Sequence, residues 1–158
     1  MATEANLKQA RNAFNALCAM LDENDWHYEI DEEKLTIECS ARGDDLPMDV
    51  TINVDAERQL VLLISHMPYD IPEEKRTALA IAVTLANNAI VDGSFDYDVL
   101  EGNILFRLTS SFRNSIVSKE MFKYMLYVSC TTIDEYNDKF LFVAKKDMSL
   151  DEIIEFMK

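Results

Sequence analysis

Glycine is scarce: Gly43, Gly93 and Gly102 are the only three in 158 residues. Phosphate cradles need clustered glycines so that the backbone can approach an anion, which excludes Walker and dinucleotide-binding loops. Basic charge is also short. Fifteen Lys and Arg against 29 Asp and Glu leave a net charge of −14, which speaks against a basic face for nucleic acid or anionic membrane. It would suit a partner with basic segments, although a solvated acidic surface is the more ordinary cause. Long apolar runs are missing. The richest, around Ala78–Ala86, falls far short of the roughly 20 residues that span a bilayer. The opening MATEANLKQARNAF has no apolar signal core. Cys18, Cys39 and Cys130 are odd in number and form no Cys-x-x-Cys pair, as expected of reduced thiols and not of a disulfide framework. The expectation is a cytoplasmic single domain over residues 1–158, long enough to bury about 70% of its extended-chain surface.

Catalytic and metal-binding patterns fail one by one. His27 and His66, the only histidines, lie on different strand-like segments, and neither they nor Cys39 show zinc-ligand spacing. Ser94 follows Gly93 but lacks the Gly-x-Ser-x-Gly elbow. Asp96-x-Asp98 starts like a calcium loop, yet Leu100 occupies the next ligand position and Glu101 the required glycine position. No catalytic, cofactor-binding or metal-binding residue is assigned, and no cofactor is called for. The acidic clusters Asp22–Asp25, Asp31–Glu33 and Asp44–Asp45 read as hydrated turns.

What is present is a regular alternation of elements. Thr3 suits the cap of a first helix whose apolar stripe is Leu7, Ala10, Phe14, Leu17 and Leu21. Period-two alternation then marks Trp26–Ile30, Leu35–Cys39 and, most cleanly, Met48–Val54. A fourth strand covers Gln59–His66. The stretch Ile71–Gly93 reads as a helix opened by Pro72, Glu73 and Glu74. It is apolar on most of its circumference, which predicts a central core helix covered from several sides. Ser94–Leu100 and Ile104–Thr109 form a second hairpin. Ser118 caps a further helix through Tyr136, while Phe140–Val143 fits helix or strand. Ser149 and Glu152 make a capping box before a short last helix. The order α-β-β-β-β-α-β-β-α-α predicts an α+β fold, a largely antiparallel sheet with helices mainly on one face.

The fourth strand stands apart. If Leu60, Leu62 and Ile64 serve the buried face, Val61 and Leu63 point outward, and Leu105 joins them from the second hairpin. The outer face of such a sheet is ordinarily polar. Val61, Leu63 and Leu105 are therefore the expected partner-binding residues, unless another element of the chain covers them.

The chain resembles the YbjN family of bacterial proteins, labelled sensory transduction regulators, over about Ile71–Tyr136. The features that carry the resemblance are IPEEKR at the helix opening, Asn87-Asn88 near its end, Asp92-Gly93-Ser94-Phe95-Asp96-x-Asp98, Glu101-Gly102 and Phe106-Arg107. The strands ending in SHMPYDIP fit the same order. The resemblance implies a fold similar to type III secretion chaperones, in small acidic proteins that are often dimeric, and it brings no enzymatic residues with it. The expected function is a non-enzymatic protein-binding or regulatory module, chaperone-like or adaptor-like, pairing with another protein or with itself. The alternative is a small-molecule sensor holding its ligand between sheet and helices near Trp26, Tyr97, Tyr124 and Tyr127.

Overall fold

The computed structural model describes residues 2–158. Helix α1 spans Glu4–Glu23, and strands β1 (Tyr28–Asp31), β2 (Thr36–Arg42), β3 (Pro47–Asp55) and β4 (Leu60–His66) follow. A 3-10 turn at Glu73–Lys75 leads into α2 (Arg76–Ala89). Then come β5 (Ser94–Asp98), β6 (Asn103–Ser111), α3 (Lys119–Lys145) and α4 (Leu150–Phe156). The strands form one antiparallel sheet in the order β1-β2-β3-β4-β6-β5. This is the expected α+β order, with helices against one face. No helix among the described residues is long and apolar enough to cross a membrane.

Local chemistry explains most boundaries. Thr3 Oγ1 accepts from Asn6 N at 3.2 Å and starts α1. Ser149 and Glu152 form the reciprocal capping box of α4. One turn recurs in three hairpins. Asp31, Asp55 and Asp98 each accept, through Oδ1, from the backbone N–H groups two and three residues on. In each, a four-residue loop closes on a left-handed residue: Leu35, Gln59 or Gly102. Aspartate favours such turns because its carboxylate holds the local N–H groups that the strand ladder leaves free. Leu35, expected in a strand, therefore sits in a turn with φ 53°, though its side chain is still buried.

The core lies between the sheet's covered face and the helices. It is built from Ile37, Val50, Ile52, Val54, Phe95 and Phe106 below, with Phe14, Leu17, Leu79, Phe122, Ile133 and Phe140 above. Phe95 makes edge-on contacts with Phe106, Tyr136 and Phe140 at centroid distances of 5.2, 5.7 and 4.9 Å, a favoured aromatic geometry.

α2 is covered from several sides, as expected: it touches α3, α4 and β5. It buries Leu79, Ala82, Val83 and Ala86 and packs Ala78, Ile81 and Leu85 against the core. α3 is central to the helical layer as well. It runs unbroken for 27 residues through Phe140–Val143, touches α1, α2 and β6, and buries residues from Phe122 to Ala144. At the outer end of the α1 stripe, Leu7 is exposed.

Candidate functional site

Register decides which side chains leave the core. Val54 pairs with Val61, Ile52 with Leu63 and Val50 with Ser65. Directly opposed residues share a face, so Val61 and Leu63 face the helices and are 0% and 1% exposed. The expectation that they point outward is therefore corrected. The four-residue loop after Asp55 sets this parity, and a loop one residue longer or shorter would reverse it. Leu105 does lie on the outer face, paired with His66 on one side and Asp96 on the other.

The outer face of β4 is thus Leu60, Leu62 and Ile64, each half-buried, ending at exposed His66. None of these aliphatic side chains, nor Leu105, belongs to or packs against the buried core. The neighbouring strands are polar on this side. β3 presents Asp49, Thr51 and Asn53, tied to β2 by Ser40 Oγ donating to Asp49 at 2.7 Å and Asn53 Nδ2 donating to Thr36 Oγ1 at 3.0 Å. β6 presents Arg107, whose Nε and Nη2 reach the two carboxylate oxygens of Asp96 at 2.8 and 3.1 Å. The stripe continues past Leu105 into a hollow of about 620 Å³ that also touches His66, Tyr97, Val99 and Leu100. Val99 and Leu100 are 46% and 78% exposed at the tip of the β5–β6 turn. An aliphatic lane thus runs between hydrogen-bonded polar borders.

The residues of the sequence motif hold the fold together. Arg76 spans the β5–β6 turn, donating to the carbonyls of Ile71 (3.3 Å), Glu101 (3.2 Å) and Leu100. Ile71 N donates to Gly102 O at 2.9 Å. Asn87 acts as a short piece of strand on the β5 edge: its Nδ2 donates to Phe95 O and its Oδ1 accepts from Phe95 N, both at 2.8 Å. Gly93 has φ 81°, and a Cβ there would lie 2.4 Å from the Phe106 ring. Only glycine fits both conditions. These positions are structural, as the resemblance implies.

The expected aromatic ligand pocket is not assembled. Trp26 and Tyr127 line one groove, Tyr97 lines the hollow beside Leu105, and Tyr124 donates to Asp92 near the end of α2. Met121, Tyr124 and Tyr127 are exposed on α3, whereas Met125 and Tyr136 are core. Burial pushes the Cys39 thiol up to about 12 and Cys130 to about 11. Both stay protonated at neutral pH and are poor nucleophiles. Among the described residues, no group of three His, Cys, Asp or Glu side chains could hold a metal ion.

The open face itself carries no sequence fingerprint: only register separates Leu62 and Ile64 from Val61 and Leu63. Comparison with known proteins adds the lineage. No curated protein matches the chain. Several solved structures share the fold. YbjN from E. coli superposes with a TM-score of 0.57 at 13% identity, covering 80% of this chain and 92% of that one. A chain of the ExsC–ExsE complex gives 0.58 at 17%, covering 82% and 93%. A chain of the HopA1–SchA chaperone–effector complex gives 0.54 at 18%, covering 87% and 99%. The fold is that of the type III secretion chaperones. The model of the YbjN family, described as "Putative bacterial sensory transduction regulator", matches residues 14–142, and the chain belongs to that family.

Proposed function

We propose that this chain, a single YbjN-like domain, is a non-enzymatic protein-binding module, chaperone-like or adaptor-like, that engages a protein partner through the open face of its sheet. The observation that carries the reading is the lane Leu60, Leu62, Ile64 and Leu105, half-buried and outside the core. Covering it would remove apolar surface from water at a gain of about 25 cal/mol per Å². The polar borders would set register without closing the lane. Two of the solved relatives, ExsC–ExsE and HopA1–SchA, are protein complexes, the second a chaperone with its effector. Of the residues first expected to bind, Leu105 keeps its place in this surface.

The test is affinity capture from the host lysate with the wild type and with the Leu62→Lys/Ile64→Lys double variant, alongside sedimentation velocity and circular dichroism. Loss of a captured protein, or of self-association, in a folded double variant supports the reading. A folded double variant that behaves as wild type in every assay removes it.

A further inference from the structure

A second surface lies where the turn after α1 meets the end of β2 and the exposed flank of α3. It is a groove of about 540 Å³ whose apolar lining includes Trp26, Met48, Tyr127 and Cys130. Trp26 N donates to Leu21 O at 3.0 Å, which fixes the indole's backbone at the groove wall. Tyr127 is 67% exposed at the groove's rim, whereas Tyr124, one turn back on α3, turns to Asp92 near the end of α2 and is not part of the lining. An aromatic side chain left to solvent at the rim of a groove is typical of contact surfaces.

The charge around the groove has one sign. Asp25 and Asp134 line it, and Asp44 sits beside them, its N–H donating to Asp134 Oδ1 at 2.9 Å. Asp45 feels burial first, then Asp138, Asp134 and Asp44, and its carboxyl is held above the usual carboxylate range. None of these aspartates forms a salt bridge with a described residue. Among the described residues, Arg42 is the one permanent cation in the lining. The groove therefore combines aromatic faces with an excess of negative charge, Asp25 and Asp134 against Arg42.

We propose that this groove binds an arginine-bearing apolar peptide segment of a protein partner. A guanidinium stacks on tryptophan and tyrosine faces and accepts carboxylates at its edge, which lysine does less well. Here the guanidinium lies against Trp26 or Tyr127 with Asp25 and Asp134 around it. The flanking aliphatic side chains of the peptide rest against the Trp26 and Tyr127 rings and beside Cys130. The surface is separate from the aliphatic lane on β4, so its failure leaves the open-face reading untouched, and the reverse also holds.

Trp26 is the only tryptophan in the chain, so its fluorescence reports this groove directly. The full-length protein is titrated with a synthetic pentapeptide alternating leucine and arginine, and with its leucine–glutamate counterpart. The arginine peptide is expected to shift Trp26 emission saturably, with affinity falling as salt is raised, and the glutamate peptide to leave it unchanged. Tyr127→Ala, at an exposed position, is expected to weaken binding about tenfold. Asp25→Asn, which keeps a residue suited to the left-handed backbone there (φ 56°), weakens it about threefold. Ile64→Lys on the open face leaves it unchanged. The proposal is overturned by the absence of a saturable shift, by equal binding of the glutamate peptide, or by Tyr127→Ala binding as tightly as wild type.

Discussion

β4 is aliphatic on both of its faces, yet the two faces do different things. Val61 and Leu63 are sealed beneath the helices, while Leu60, Leu62 and Ile64 lie on the other side, half-buried and outside the core. The residue types are nearly interchangeable; the surroundings are not. Aliphatic character alone does not define a core. A core needs a second layer, and this sheet has one on a single side.

The sharpest way to break that comparison is to place the same charge on each face. Leu63→Lys buries an unpaired ammonium and is expected to cost more than about 4 kcal/mol, enough to unfold the chain in a urea titration. Ile64→Lys, one residue on, is expected to cost no more than about 1 kcal/mol. Equal losses would mean that both faces are packed. A smaller effect is expected at the sheet edge that Asn87 caps. Asn87→Ala removes two hydrogen bonds and leaves the Phe95 amide and carbonyl without their partner, at a cost of about 2–3 kcal/mol. Hydrogen exchange at Phe95 should accelerate with it. Smaller still is Arg107→Ala on the open face. The Asp96–Arg107 pair is bidentate but about half exposed, so its loss should cost between about 0 and 1 kcal/mol and fade with added salt.

The pH dependence of the loop beside α3 gives the finest distinction. The Asp45 carboxyl is raised by burial and by the carboxylates of Asp138, Asp134 and Asp44. The folded state thus binds this proton more tightly than the unfolded state. Its contribution is fully present below the unfolded pKa and is lost as pH rises through the folded one. Asp45→Asn should therefore stabilise the protein slightly at neutral pH, and the advantage should vanish in acid. Thermal melts of both proteins across the carboxylate range check the sign.

Much of the fold was legible because local chemistry spoke for itself. Thr3 and the Ser149–Glu152 box marked helix starts, and Met48–Val54 alternated so strictly that its buried face needed no partner to identify it. The second hairpin and the fold class followed from the same alternation. β4 was not legible in this way. Five aliphatic residues in a row, Leu60–Ile64, have no period, and the face is chosen by the loop length after Asp55 and by pairing with β3. That also decides which residues share the outer face: Leu105 lies there as expected, whereas Val61 and Leu63 face the helices and Leu60, Leu62 and Ile64 face outward. α3 was less legible than α2, because it mixes core residues with exposed Met121, Tyr124 and Tyr127 at helical spacing.

Hydroxyl-radical footprinting of β4 and β6, read by mass spectrometry with and without the protein captured by the wild type, tests the open-face reading most directly. The expected result is oxidation of Leu60, Leu62, Ile64 and Leu105 in the free protein, protection of Val61 and Leu63, and loss of the first four signals in the complex. Oxidation of Val61 and Leu63 at the same rate as their neighbours, or an unchanged footprint in the complex, would contradict it.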